Sequence, residues 1–413
     1  MNKKQSERRA LVALACTVLL LFVPNYAQYQ LSPLAYLVMP AFELDSAQFS
    51  MLFSAAMIPG ILLSMVAGLL CDRFGAKRVV GIAGAVSVVA LVARVFASDF
   101  GTLFACMALA GVLATFLNAN IAKIMGSWFP PDKVGLAVGI GLAGATLSMA
   151  VGMGTSALFS SLEAVFTFTA VIAVAALAIW WLLFKDGPRS TQPASLSDGS
   201  ATPKTQPSLV DCLKVVLKSR NVWLVGVALG MDMAATMCIL TFLPQVLQST
   251  RGFDPTVAGA LSSVVTFGNL AGSIFAPLIY ARVGRFKMMV TMLAAMAAAG
   301  TAFAWQLPEG PVMLACFFLT GFSLGGLLAM LVSAIVLLPE IGPVYAGTAG
   351  GVGATLQLLD AVVIPSYVLA PILGTNYPVF YGIAGALCLV AGACALALPN
   401  RSAASHNRED RDD

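Results

Sequence analysis

Apolar positions run along this chain in twelve long blocks, separated by short polar turns rich in glycine, proline and charge. The blocks fall at 10–39, 46–71, 79–97, 101–128, 134–158, 164–184, 221–247, 255–281, 286–306, 310–338, 343–372 and 377–398. Each is about 20 residues or longer, the length a helix needs to cross a bilayer core. None alternates with period two, as the strands of a membrane barrel do. Backbone groups in lipid must be satisfied within their own segment, so the blocks predict helices. The expected fold class is an all-α membrane protein with twelve transmembrane helices. Pro24, Pro33, Pro59, Pro244, Pro277, Pro365 and Pro371 mark expected kinks, because each lacks an N–H and crowds the preceding turn.

Composition agrees. The 413 residues are 59% hydrophobic and 10% charged, with mean hydropathy +0.90; soluble domains carry about 25% charged residues. The first block follows Lys3, Lys4, Arg8 and Arg9 like a signal peptide, but it is too long and lacks a small-residue cleavage site, so it reads as a membrane helix. Of the 23 lysines and arginines, 20 fall on one side when the spans are counted from a cytoplasmic N-terminus. The other side holds mainly Glu43, Asp45, Asp99, Glu163, Asp254 and Glu309. Both termini are therefore expected in the cytoplasm, and the membrane is expected to be a bacterial inner membrane. Seven cysteines lie in or beside apolar blocks without metal-like spacing, and His406 is the only histidine. No metal, cofactor, catalytic constellation or nucleic-acid partner is expected.

The long connection divides the chain into 1–184, 185–220, 221–400 and a polar tail, 401–413. Within it, Thr191–Ser208 is rich in Ser, Thr, Pro and Gln, while Ser208–Asp211 reads as a capping box opening a short interfacial helix. The flanking parts repeat at an offset of 209: Arg73 matches Arg282, Gly75 matches Gly284, Pro130 matches Pro339, and Gly144–Leu147 matches Gly353–Leu356. Two pseudo-symmetric six-helix halves follow.

The loop after the second block reads Gly68-Leu69-Leu70-Cys71-Asp72-Arg73-Phe74-Gly75-Ala76-Lys77-Arg78. With twelve spans in 6+6 order, it resembles the major facilitator superfamily, matching its loop motif at Gly68, Leu69, Asp72, Arg73, Gly75, Lys77 and Arg78. The resemblance implies a gate made by Gly68, Asp72, Arg73, Gly75 and Lys77, with Asp72 near the N-terminus of span 11. It implies a weaker echo at Arg282 and Gly284, since Ala281 stands where the acid would be. Trp128-Phe129-Pro130 and Lys133–Gly139 are similar to nitrate, cyanate and oxalate–formate type carriers. Thr146 and Thr355 stand near the asparagines of nitrate carriers, and spans 2 and 8 are uncharged before their cytoplasmic ends, so nitrate is not expected. The arginine and Gly-Pro motif of drug/proton antiporters are also missing.

Charges inside hydrocarbon are costly and usually functional. Asp232 lies roughly 16 Å into span 7 at 1.5 Å per residue, and Asp360 is similarly deep in span 11. Both are candidate proton-coupling acids. Lys123 either reaches the interface, binds a substrate anion or pairs with an acid. Arg94 reads as an anchor at the outer end of span 3. Polar stripes at helical spacing add candidate substrate contacts: Tyr26, Tyr29 and Gln30 in span 1, Asn120 with Lys123 in span 4, Ser262, Thr266, Asn269 and Ser273 in span 8, and Gln357, Asp360 and Tyr367 in span 11.

These residues lead to the expectation of a monomeric secondary carrier for a small polar solute, an organic anion first, coupled to protons or to a counter-solute. Export of a cationic or amphipathic compound is the alternative. A membrane sensor on a carrier scaffold is the alternative of another class.

Overall fold

The computed structural model describes residues 3–187, 214, 216–336 and 342–398. Twelve helices among them are long and apolar enough to cross a membrane. They are α1 (Glu7–Tyr29), α2 (Ser46–Phe74), α3 (Ala76–Phe96), α4 (Phe100–Trp128), α5 (Lys133–Leu158), α6 (Leu162–Leu183), α7 (Arg220–Arg251), α8 (Pro255–Val283), α9 (Phe286–Gln306), α10 (Pro311–Ile335), α11 (Thr348–Leu373) and α12 (Tyr377–Leu396). The linker's capping box, Pro339 and the tail lie outside the described residues.

Local chemistry sets the helix ends. The Asp45 carboxylate accepts from the Gln48 N–H at 2.7 Å, and the Asp45 N–H donates in return to the Gln48 side chain, which makes a capping box for α2. Asp99, Ser161, Ser219 and Asp254 cap α4, α6, α7 and α8 through their side-chain oxygens. The Thr102 hydroxyl and N–H hold the Asp99 carboxyl below its ordinary range. Gly252 and Gly284 end α7 and α8 in the left-handed conformation.

The repeat is visible in the fold. Displacing Ser46–Phe74 by 209 residues gives Pro255–Val283, the bounds of α8. Two repeat mates meet across the halves: the Ser32 hydroxyl donates to the Thr241 carbonyl at 2.8 Å, at a separation of 209 residues. Another pair of mates, Ser54 and Ser263, occupies two equivalent seams. Ser54 bonds with Ser366 of α11 at 3.0 Å, and Ser263 donates to Ala150 O of α5 at 2.9 Å.

Those seams lie at one end of the bundle. Ser50 and Ser54 are near the start of α2, Ser366 near the end of α11, Ser263 near the start of α8, and Ala150 near the end of α5. Gln248 Nε2 donates to Pro33 O at 3.2 Å at the same end. A Cβ at Gly259 would strike the Met153 backbone there. At the other end, which carries the start of α1, the same helices part. A Cβ at Gly68, Gly135, Gly139, Gly350 or Gly351 would meet nothing within 4 Å. Leu69 and Leu136 are 60% and 67% exposed. Among the described residues, the protein is therefore closed at the end away from the start of α1 and open at the end carrying it.

Candidate functional site

The seam between α7 and α11 places one acid at the open side. Gly226 and Gly230 stand one turn apart on α7, and their bare faces receive Leu356 and the Asp360 carboxylate of α11. A side chain at either glycine would displace its guest. Asp360 and Gln357 are half-buried along this groove.

Asp232 does not join them. It follows Gly230 by two residues, which is about 200° around a helix at 3.6 residues per turn. It faces the interior of the C-terminal half beside Cys388 of α12 and is 1% exposed. Neither of its oxygens has a hydrogen-bond partner among the described residues. The two deep acids therefore stand at opposite faces of α7, in separate surroundings.

Lys123 pairs with Asp72, joining α4 to the end of α2. Asn120, one turn earlier, donates to Ala67 O at 3.2 Å and to Phe116 O at 3.0 Å. Of the roles open to Lys123, the structure takes the acid pair. Asp72, expected near the N-terminus of span 11, has Lys123 as its ion-pair partner among the described residues. A Cβ at Gly68 would meet no described atom within 4 Å.

Gly75, at φ +82°, makes the turn that a side chain would strain. The next helix is fixed by two contacts with the end of α6. The Lys77 N–H donates to Asp186 at 2.9 Å, and Trp180 Nε1 donates to the Lys77 carbonyl at 3.1 Å. Asp186 was not singled out in the sequence; its place beside the linker gave no periodic signal. Arg73 lies 5.3 Å from the Phe74 ring and is exposed, as are Arg282 and Gly284 of the second copy.

Arg94 is the largest departure. It is fully buried where an interface anchor was expected. Its guanidinium donates to Ala27 O near the end of α1 at 3.2 Å and to Met107 Sδ at 3.4 Å, and stacks 4.2 Å over the Phe166 ring. With its amide oriented by the hydrogen-bond network, Gln30 accepts from Arg94 at 2.9 and 2.6 Å and donates to Thr169 at 2.8 Å. No carboxylate partners Arg94 among the described residues. Span 1 stops being helical at Tyr29, and the cation sits against its last carbonyls, where a helix end is negative.

The remaining stripe residues are held in packing. Tyr26 stacks on Phe22 with ring centroids 5.6 Å apart, and Tyr29 meets Phe53 edge-on at 5.3 Å. Thr266 is buried against Met153 of α5, and Asn269 is half-buried where α8 meets Gly321 and Gly325 of α10. Tyr367 leaves the stripe of Gln357 and Asp360. Residues Ile364–Leu369 form a π-helix, in which the Ala370 N–H reaches Pro365 O, and this widening rotates the following residues out of register. Tyr367 is consequently 46% exposed.

The comparisons agree with this geometry. The chain is 24% identical over 282 residues to a hexuronate transporter of Bacillus subtilis (strain 168), covering 65% of each, so it spans just under two thirds of that relative's length. It is 23% identical over 307 residues to a probable sulfoacetate transporter, SauU, of Cupriavidus necator, covering 70% of this chain and 69% of that one. Among solved structures, a mutant of the nucleoside transporter NupG superposes with a TM-score of 0.73 at 15% identity, over 94% of this chain and 99% of that one, which shows a shared fold. The family profile of the Major Facilitator Superfamily matches residues 10–365, and the chain, a multi-pass integral membrane protein, belongs to that superfamily.

Proposed function

We propose that the protein is a secondary transporter for a small organic anion, alternating between the form described above and one open at the opposite end. The observation that carries this reading is the one-sided closure: the hydrogen bonds found between the halves among the described residues gather at one end, while glycines on the same helices face empty space at the other. Relatives named for hexuronate and sulfoacetate support the anion class. The excess of lysine and arginine supports a cytoplasmic open end and an inner-membrane location.

In this reading the substrate anion competes with Asp72 for Lys123, and Asn269, Gln357 and the Asp360 groove supply polar contacts. Asp232 and Asp360 are the proposed proton carriers. The Gly75 turn, with Asp72, Arg73 and Lys77, is the proposed gate. Purified protein in liposomes tests this directly. A pH gradient, acid outside, should drive accumulation of a labelled hexuronate or sulfonate, and an unlabelled organic anion should compete. Uptake indifferent to the gradient and to every organic anion would refute it. One observation favours a second reading, export of a cation: Asp360 is a half-buried acid midway along α11 with no cationic partner among the described residues. In that case cations, and no anions, would exchange with protons.

A further inference from the structure

At the open end, but outside the space between the halves, a cavity of ≈ 250 Å³ lies where α1 starts and where α4 and α6 end. Three of its described lining residues are cations, Arg8, Arg9 and Lys185, and none of the described lining residues is an acid. Trp128 forms another wall, and its indole N–H donates to the Lys185 carbonyl at 3.2 Å, which fixes the backbone that carries that lysine. Val12 and Leu183 complete the apolar lining. Leu183 is 57% exposed, and its neighbour Leu182 is 76% exposed, so the apolar wall of the cavity continues onto the lipid-facing side of α6.

The repeat separates this cavity from a general excess of positive charge. At an offset of 209, Leu217 stands for Arg8 and Cys394 for Lys185. The C-terminal half therefore lacks two of the three cations. A charge excess that only oriented the helices would not need them converged on one cavity, nor a tryptophan fixing one of them.

We propose that this cavity binds the phosphate headgroup of an anionic phospholipid, with Arg8, Arg9 and Lys185 on the phosphate and the acyl chains running along Leu183 and Leu182. Clustered cations and a phosphate suit each other by charge, and a basic pocket between helices at this membrane face is a recurring form of lipid site. The apolar wall favours a lipid over a soluble phosphate ester, which would leave Leu183 without a partner.

The test uses the full-length protein in detergent, titrated with phosphatidylglycerol or phosphatidylcholine and read by native mass spectrometry. Wild type should retain one phosphatidylglycerol at concentrations where phosphatidylcholine is lost. The double variant Arg8→Gln/Lys185→Gln should weaken that retention by about tenfold or more, at roughly 1 kcal/mol per cation. Lys218→Gln, on the equivalent surface of the other half, should leave it unchanged. Melting curves of all three in neutral detergent should coincide, which separates lost binding from lost folding. A parallel arm adds inorganic phosphate: the proposal expects millimolar phosphate not to displace the lipid. Equal retention by wild type and double variant, or displacement by phosphate alone, would overturn it.

Discussion

The N-terminal and C-terminal halves join their second and fourth helices in different ways. In the N-terminal half, α2 and α4 are linked near the open end by the Asp72–Lys123 ion pair and by Asn120 donating to Ala67 O. They also approach once backbone to backbone, where a Cβ at Gly111 of α4 would strike the carbonyl of Ala56 in α2. In the C-terminal half, α8 and α10 meet in this way along four glycines. A Cβ at Gly268, Gly272, Gly321 or Gly325 would strike the carbonyl of Phe318, Phe322, Val265 or Asn269. The offset of 209 shows how cleanly the devices are exchanged. Asp72, Asn120 and Lys123 correspond to Ala281, Ala329 and Val332, while the four glycines correspond to Pro59, Leu63, Val112 and Phe116. An exposed ion pair contributes about 1 kcal/mol or less and can be exchanged. A glycine seam cannot loosen without losing many contacts at once. The same repeat has thus become a half that adds a breakable link to a single glycine contact, and a half joined by four glycine contacts.

The largest effect should come from the rigid seam. Gly321→Ala places a methyl against Val265 O, a backbone atom that cannot swing aside, and should destabilise the protein by about 4 kcal/mol or more, seen as a lower melting temperature in detergent. Its counterpart Val112→Ala should cost less, and equal losses would erase the contrast. Next, Arg94→Ala leaves Gln30 and the end of α1 without their cation and opens a void, for an expected loss of about 2–4 kcal/mol. No equivalent loss should follow Phe303→Ala at its repeat position, which is 65% exposed. Asp360→Asn should abolish pH-driven uptake while the melting temperature stays close to wild type; retention of full uptake would remove Asp360 from the coupling. The smallest stability effect belongs to Lys123→Gln, about 1 kcal/mol or less by melting, yet substrate affinity should fall. A melting shift as large as that of Gly321→Ala would show that the link is not the weak one.

The fold was legible because hydrophobic length and the 209-residue repeat act over whole helices. Gly75 and Gly284 were legible as turn glycines for the same local reason: only glycine readily takes positive φ. Side-chain neighbours were harder. Arg94 read as an anchor because its distance along span 3 was visible, but the broken end of α1 that receives it was not. Asp232 and Asp360 read as acids of similar depth, whereas the face of α7 that each meets depends on which helix packs there. Tyr367 fell out of its stripe because Pro365 opens a π-turn that α-helical counting cannot anticipate. Asp186 had no pattern at all: its role exists only because the end of α6 comes beside Lys77.

Transport by rocking requires that the end sealed by Ser54–Ser366 open while the other end closes. In a background with the native cysteines replaced, Ser54→Cys/Ser366→Cys should cross-link readily, since their hydroxyl oxygens are 3.0 Å apart. Uptake into liposomes should stop when the disulfide forms and return on reduction. Full uptake with the disulfide intact would contradict the account, because the sealed end would then never need to open.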